Sequence, residues 1–212
     1  RQRQMCIRDR NHPVPPIVDA DALVVLGGSM SCQDDAEAPW LAPPRQLISR
    51  TVRAGTPFLG ICLGHQLATV ALGGQVCTSD HFCLGAAEMH LTPEGKKDPL
   101  LSVYDGHRGI HFNNDVAVVL PEDAVLLARD PTGQIEAVRF AERAWGVQFH
   151  PECTPEIFDA WTIGHGEKEW QQRLPWSEAV TVAETVRRDI DTVNAEEAFA
   201  ARFQELIDPE KR

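Results

Sequence analysis

The sequence predicts an α/β protein in which a mostly parallel central sheet is extended by antiparallel strands. The apolar run Ala22–Leu26 has the length of a strand and suits a parallel strand that is covered on both faces. A helical pattern over Trp40–Ala54 separates this run from the next strand, Phe58–Gly60, and such alternation is typical of parallel sheets. From Gly85 to Phe149 short strands follow one another between turn signals, which indicates antiparallel pairing.

The first half of the chain alternates strands, loops and helices. Ala22–Leu26 ends in a loop that opens with Gly27 and Gly28, where the absence of side chains lets the backbone approach a ligand. The strand Phe58–Gly60 leads through a tight turn into a second helix. Paired glycines at 73 and 74 end that helix, and Gln75–Cys77 begins another strand.

The second half is predicted to add strands first and helices afterwards. The short strands are Ala87–Leu91, Gly109–Phe112, Ala124–Arg129, Ile135–Arg139 and Trp145–Phe149. A helix is predicted over Pro155–Ile163. One long helix is predicted from Ser177 onward, where the serine can cap its amino end.

Composition and charge argue against several classes of protein. The chain has 212 residues, of which 43% are hydrophobic and 24% charged, and this suits one globular domain with or without an appendage. A net charge of −11 argues against a nucleic-acid partner, because phosphate binding needs clustered Lys and Arg. No apolar run approaches the roughly 18 residues that a membrane-spanning helix needs, so no membrane association is expected.

The cysteine pattern indicates free thiols rather than a metal site. The chain has six cysteines and no C-x-x-C pair, and its histidines are scattered singly. We therefore expect no metal and no cofactor. A reduced, cytoplasmic setting is the simplest interpretation of such cysteines.

Two segments carry the chemistry. Gly60–Gln66 reads G-I-C-L-G-H-Q, so Cys62 is predicted at the tip of a turn whose following helix favours an anion at its amino end. Far downstream, Trp145–Glu152 reads W-G-V-Q-F-H-P-E and places His150 and Glu152 two residues apart at the end of a strand. Cysteine, histidine and glutamate in this order suggest a thiol nucleophile, its base and the group that orients the base.

These motifs resemble those of the class I (triad-type) glutamine amidotransferases, in particular the glutaminase domain of GMP synthase. The resemblance runs from about Asp21 to about Glu156. It implies a flavodoxin-like three-layer sandwich with Cys62, His150 and Glu152 as the catalytic triad. It also implies hydrolysis of the glutamine side-chain amide to glutamate and ammonia through a cysteine thioester.

The resemblance implies further site residues around the nucleophile. The backbone N–H groups of Gly28 and Leu63 are the expected oxyanion donors. Gln66 lies one helical turn after Cys62, and it is expected to contact the substrate glutamine together with Gly27. Relatives commonly have proline after the paired glycines, where this chain has Ser29. This difference leaves the N–H of Gly28 in place as an oxyanion donor.

A second substrate-binding segment is implied at residues 111–115, His-Phe-Asn-Asn-Asp. Related chains often have His-x-His-x-Asp here and hold glutamine through backbone groups. Asparagine replaces the second histidine in this chain. Phe112 and Asn113 can still serve if backbone atoms hold the substrate, and an ordinary strand end with turn residues is the alternative interpretation.

The motifs leave three functions open. A glutamine amidotransferase would act on glutamine as its small-molecule substrate and would need a synthase or acceptor subunit on another chain, since no P-loop is present. A γ-glutamyl hydrolase or peptidase would use the same triad on another γ-glutamyl compound. A non-catalytic domain, or an inactive truncated fragment, is the third hypothesis.

The sequence also predicts where the domain begins and ends. Residues 1–10 resemble a translated sequencing adapter and are interpreted as a non-native leader. Residues 11–165 are predicted to form the amidotransferase-like domain, and residues 166–212 a helical extension packed on it. The first β-α-β unit of the family is expected to be missing, because only ten residues separate the leader from the strand near Asp21.

Overall fold

The computed structural model describes residues 14–163, 176–190 and 195–208. Its strands are β1 Leu23–Val25, β2 Phe58–Ile61, β3 Gln75–Glu88, β4 His90–Leu91, β5 Arg108–Val119, β6 Val125–Arg129, β7 Ile135–Ala141 and β8 Ala144–Val147. Its α-helices are α1 Ala42–Arg53, α2 Leu63–Ala71, α3 Pro155–Ile163, α4 Trp176–Ile190 and α5 Glu196–Ile207. Short 3-10 turns at Pro39–Leu41, Gly95–Lys97 and Leu101–Tyr104 complete the described elements.

The central sheet has six strands in the order β1-β2-β8-β7-β6-β4. Strands β1, β2 and β8 pair in parallel, and the remaining three extend the sheet by antiparallel pairing. Strands β3 and β5 form a separate antiparallel ribbon. The predicted α/β class, with a parallel core and an antiparallel extension, is confirmed.

Two hydrophobic cores cover the two faces of this sheet. On β2, Phe58 belongs to a cluster that includes residues of α1 and α2, while Leu59 and Ile61 belong to a cluster that includes Phe199 and Phe203 of α5. Alternate residues of a strand point to opposite faces, so β2 contributes to both cores. Helix, sheet and helix therefore form the three layers that the sequence predicts.

The C-terminal helices pack through apolar side chains. Val186 and Ile190 of α4 lie in a small core with Ile110 and Phe158, and α5 inserts Phe199 beside the central sheet. None of the described helices is long and apolar enough to cross a membrane. The predicted leader at residues 1–10 and the predicted domain boundary at residue 165 lie outside the described residues.

Four element predictions are wrong in their extent. The predicted strands Gln75–Cys77 and Ala87–Leu91 share one strand, β3, which includes residues 75–77 and 87–88. The middle of β3 has no apolar alternation, and its pairing with β5, with two register shifts, supports it. The predicted strand Gly109–Phe112 is likewise the first part of the longer β5. The single helix predicted from Ser177 is described as two, α4 and α5, with Ala195 at the amino end of the second; Val193, part of that prediction, is not described.

The first described strand has one partner within the described residues. β1 pairs with β2, and Val24 and Leu26 beside that pairing are 45% and 54% exposed. The sequence predicts an apolar run covered on both faces, so this exposure is a difference from the prediction. The absence of a preceding β-α-β unit stays a prediction.

The glycine at position 64 allows α2 to lie directly on the sheet. A Cβ atom built on Gly64 would lie 2.1 Å from the carbonyl oxygen of Val25, a backbone atom of β1 that has no rotamer to move away. Gly73, by contrast, has a φ of +100° and nothing within 4 Å of such a Cβ. The two glycines are therefore required for different reasons, close packing at 64 and backbone conformation at 73.

We predict that Gly64→Ala destabilises the protein much more than Gly73→Ala. The first substitution must push β1 and α2 apart, at a cost of about 3 kcal/mol or more. The second strains one exposed turn by about 1 kcal/mol. Urea denaturation of both variants measures the difference, and equal losses in the free energy of unfolding would contradict this packing.

Candidate active site

Cys62 sits on a strained turn between β2 and α2. Its φ of +51° is the one positive value among the non-glycine residues that the structure describes. The Cys62 N–H donates to Val147 O of β8 at 2.8 Å, and the Cys62 carbonyl accepts from Gln66 N at 3.0 Å, so both neighbouring elements hold the turn. Such a turn projects the side chain away from the backbone at the amino end of a helix.

His150 and Glu152 complete a contiguous triad with this cysteine. His150 Nδ1 lies 2.8 Å from Glu152 Oε1, and the same imidazole is hydrogen-bonded to the Cys62 side chain. With Nδ1 donating to the carboxylate, Nε2 is the nitrogen left for the thiol. The His150 N–H donates to Ile110 O at 2.8 Å, which fixes the backbone of the loop after β8.

The charge on His150 is set by competing effects. Burial alone lowers the pKa of the imidazole, but the charges of Cys62 and Glu152 and the hydrogen bonds from both outweigh it. The net effect raises the pKa of His150 to about 10. Near neutral pH the ring is therefore protonated and paired with the cysteine sulfur, which is the arrangement that a thiol nucleophile needs.

The glycine loop after β1 lies directly against the triad. A Cβ atom built on Gly27 would lie 2.9 Å from His150 Cε1 and 3.5 Å from Cys62 Cβ. A Cβ atom on Gly28 would lie 2.8 Å from Leu63 Cδ2. The loop thus brings its backbone next to Cys62, and any side chain at position 27 would displace the imidazole.

The Gln66 side chain is buried at the site and fixed by hydrogen bonds. It is 3% exposed, and its Nε2 donates to Asp115 O at 2.9 Å and to Gln148 Oε1 at 3.2 Å. These bonds tie α2 to β5 and to the loop after β8. The side chain is therefore fixed by protein acceptors through its amide nitrogen.

The segment 111–115 reaches the site along β5. Phe112 and Asn113 both line the same cavity as Cys62 and His150. Asn113 Nδ2 donates to Asp115 O at 3.2 Å, while its buried Oδ1 has no hydrogen-bond partner in the described structure. The cavity has a volume of about 560 Å³.

The structure thus brings the predicted site residues together. The cavity is lined by Gly27, Gly28, Cys62, Gln66, Phe112, Asn113, His150 and Glu152. Leu63 is not a lining side chain, but it is the first residue of α2, where a backbone N–H has no intrahelical acceptor. The roles predicted for these residues stay predictions.

Several cavity residues were missed by the sequence interpretation. The Asp115 carboxylate accepts hydrogen bonds from the hydroxyls of Ser31 and Thr78, which joins the glycine loop, β3 and β5. The one feature of the sequence that could have indicated Asp115 is its position at the end of the segment 111–115. Phe82 and Trp161 also line the cavity, and no motif in the sequence pointed to either.

Two other buried histidines lie outside the cavity lining. His65 is fully buried beside Phe140, and burial lowers the pKa of its imidazole to about 4, so it is neutral. His111 Nε2 lies 2.7 Å from Glu136 Oε2. Burial lowers the pKa of His111, but the charge of Glu136 and the hydrogen bond to it outweigh burial and raise it, which favours the charged imidazole in this buried pair.

Comparison with known proteins identifies the family. The model for "Glutamine amidotransferase class-I" matches residues 4–164, more than half of the chain. The glutamine amidotransferase-like protein YfeJ of Salmonella typhimurium is 32% identical over 161 residues, which cover 74% of this chain and 66% of that protein. A subunit of the glutamine-hydrolysing GMP synthase of Methanothermobacter thermautotrophicus is 34% identical over 101 residues, or 45% of this chain and 51% of that subunit.

A solved structure agrees with these matches. The glutamine amidotransferase of Methylobacillus flagellatus superimposes with a TM-score of 0.80 at 26% identity, covering 94% of this chain and 82% of that one. The chain spans just under two thirds of the YfeJ protein and about half of the synthase subunit. The protein therefore belongs to the class-I glutamine amidotransferases, a family of amidohydrolase-type enzymes.

Proposed function

We propose that this chain hydrolyses the side-chain amide of glutamine to glutamate and ammonia. The observation that carries the proposal is the contiguous array of Cys62, His150 and Glu152 at the turn between β2 and α2, with the imidazole bonded on both sides. A protonated imidazole next to a cysteine sulfur supplies both the nucleophile and the acid that amide cleavage needs.

In the first step, Cys62 Sγ attacks the γ-carbonyl carbon of glutamine. The carbon–nitrogen bond breaks, and His150 delivers its proton to the departing nitrogen, which leaves as ammonia. A γ-glutamyl thioester remains on Cys62. Glu152 stabilises the imidazolium and holds the ring in the tautomer that points Nε2 at the reacting atoms.

The tetrahedral intermediate needs donors for its oxyanion. A Cβ atom built on Gly28 would lie 2.8 Å from Leu63 Cδ2, and this proximity of the glycine loop to Leu63 supports the backbone N–H groups of the two residues as the donors. The N–H of Leu63 belongs to the first turn of α2, where the helix dipole also favours negative charge. Each such donor is typically worth about 3 kcal/mol in the transition state.

The amino-acid head of the substrate would lie on the polar side of the cavity. Gln66 uses its amide nitrogen for protein acceptors, so its amide oxygen is the atom offered to the substrate. Gly27, Phe112 and Asn113 line the same cavity. This arrangement supports the substrate-binding roles that the resemblance implies.

Water completes the reaction. With its proton gone to ammonia, neutral His150 takes a proton from a water molecule that attacks the thioester carbon. The carbon–sulfur bond breaks, glutamate leaves, and the cysteine and imidazolium are restored. The cycle consumes one glutamine and one water, and it needs neither a cofactor nor a metal.

A protein that uses the ammonia would be a separate chain. Three archaeal relatives of this chain are named as one lettered subunit of GMP synthase, a name that implies a companion subunit in those organisms. We propose an acceptor subunit for this chain on the same grounds. The described cysteines are free thiols, which suits the reducing conditions of the cytoplasm.

We predict that Cys62→Ser reduces glutamate release from glutamine by about 10³-fold or more, because the hydroxyl is a far weaker nucleophile. The matched control is Cys77→Ser, which changes an exposed cysteine outside the cavity lining. Glutamate release is measured with a coupled dehydrogenase assay. Undiminished activity in a folded Cys62→Ser protein would contradict the proposal. Because such a protein would still be an enzyme, this result would also contradict the non-catalytic interpretation.

We predict that Glu152→Gln moves the alkaline limit of activity to lower pH. In the intact protein, activity falls as pH rises through about 10, where the imidazolium loses the proton that the leaving nitrogen needs. Glutamine at position 152 removes a negative charge that raises the pKa of His150, so the proton is lost earlier. The pH dependence of kcat/KM measures this limit, and an unchanged limit would show that Glu152 does not set the charge on His150.

A further inference from the structure

One wall of the active-site cavity is aromatic. Phe82 of β3, Phe112 of β5 and Trp161 of α3 all line it, and we name these three side chains the aromatic wall. The ring centroids of Phe82 and Phe112 are 5.5 Å apart, and those of Phe112 and Trp161 are 6.0 Å apart, both in edge-to-face arrangements. The wall is therefore a continuous packed surface built from three separate elements.

The aromatic wall begins at the catalytic imidazole. The ring centroids of Trp161 and His150 are 4.6 Å apart. In the proposed mechanism His150 protonates the departing nitrogen, so that nitrogen must lie within hydrogen-bond reach of the imidazole. A substituent on that nitrogen would therefore extend from the reaction centre alongside Trp161.

The same cavity also has polar groups. They are the hydroxyls of Ser31 and Thr78, the Asp115 carboxylate and the buried amide of Asn113. These groups suit the charged amino-acid head of a γ-glutamyl substrate. Free glutamine has a polar head and a bare amide, so it has no part that matches the aromatic wall.

The size of the cavity agrees with a larger substrate. Its volume of about 560 Å³ falls within the range of pockets that hold drug-sized ligands, roughly 300–1,000 Å³. Apolar and aromatic surface in such pockets is where apolar ligand groups gain affinity. The aromatic wall thus has both the position and the chemistry to hold a substituent on the amide nitrogen.

We propose that this chain also cleaves γ-glutamyl amides whose nitrogen carries an aromatic or aliphatic group. The inference rests on the thioester chemistry proposed above. Cys62 Sγ forms the same γ-glutamyl thioester, the carbon–nitrogen bond breaks, and the amine departs with the proton from His150. Water then releases glutamate, so one amide and one water give one glutamate and one amine.

The test compares γ-glutamyl-p-nitroanilide with glutamine on the full chain. Release of nitroaniline and release of glutamate are measured separately, and each gives a kcat/KM. We expect the anilide to be cleaved at least as efficiently as glutamine, and Cys62→Ser to abolish both reactions. Cleavage of glutamine without cleavage of the anilide would overturn the inference and leave the glutaminase proposal standing.

A variant of the aromatic wall tests where the substituent binds. Phe82→Ala removes the ring farthest from His150 along the wall, and we expect kcat/KM for the anilide to fall by about tenfold. The value for glutamine should change by less than about twofold. The matched control is Leu84→Ala in the same strand, which belongs to the core around Ile110 and does not line the cavity.

The remaining outcomes distinguish the glutaminase proposal from the proposed cleavage of substituted γ-glutamyl amides. Cleavage of the anilide alone would support this inference and replace glutamine as the substrate. Equal losses for both substrates in Phe82→Ala would show that the wall only maintains the site, which overturns the inference. Binding of the anilide to Cys62→Ala protein gives a readout without turnover, and binding no tighter than that of glutamine would also overturn it.

Discussion

The parallel pairing of β2 with β8 is the constraint on which the site depends. In this register Gly60 lies beside Gly146 and Ile61 beside Val147, so both strands end at the same edge of the sheet. Cys62 follows the first strand at once, and its N–H continues the pairing by donating to Val147 O. A slip of one residue would turn the side chains that follow β8 toward the other face. The pairing of the two strands therefore sets the position of Cys62 relative to His150.

Burial makes the triad charges interdependent. His150 is 4% exposed, so its positive charge persists only because Cys62 and Glu152 compensate for the water it has lost. His111 and Glu136 form a second buried pair, with side chains that are 3% and 1% exposed. Removing one partner of such a pair leaves an uncompensated charge, which typically costs about 3–5 kcal/mol. Truncation of one member of either group would therefore destabilise the fold around the site.

The proximity of Cys62, His150 and Glu152 could be predicted from the sequence because these residues sit in short local motifs. The strand, turn and helix around Cys62 are contiguous, and His150 and Glu152 lie two residues apart. The cavity walls were not predictable in the same way. Phe82, Phe112 and Trp161 meet only through the pairing of β3 with β5 and the packing of α3, and the middle of β3 lacks the alternation that marks a strand. Contacts of such long range leave no local pattern.

Covalent labelling with a chloroketone analogue of glutamine tests the central claim most directly. We expect one label per chain, on Cys62, although this side chain is 5% exposed while Cys77 is exposed to solvent. Selectivity would follow from the protonated His150 imidazole next to the Cys62 sulfur and from recognition of the glutamyl head. Peptide mapping by mass spectrometry locates the label. Labelling of Cys77 at the same rate as Cys62, or no label on Cys62, would contradict the account.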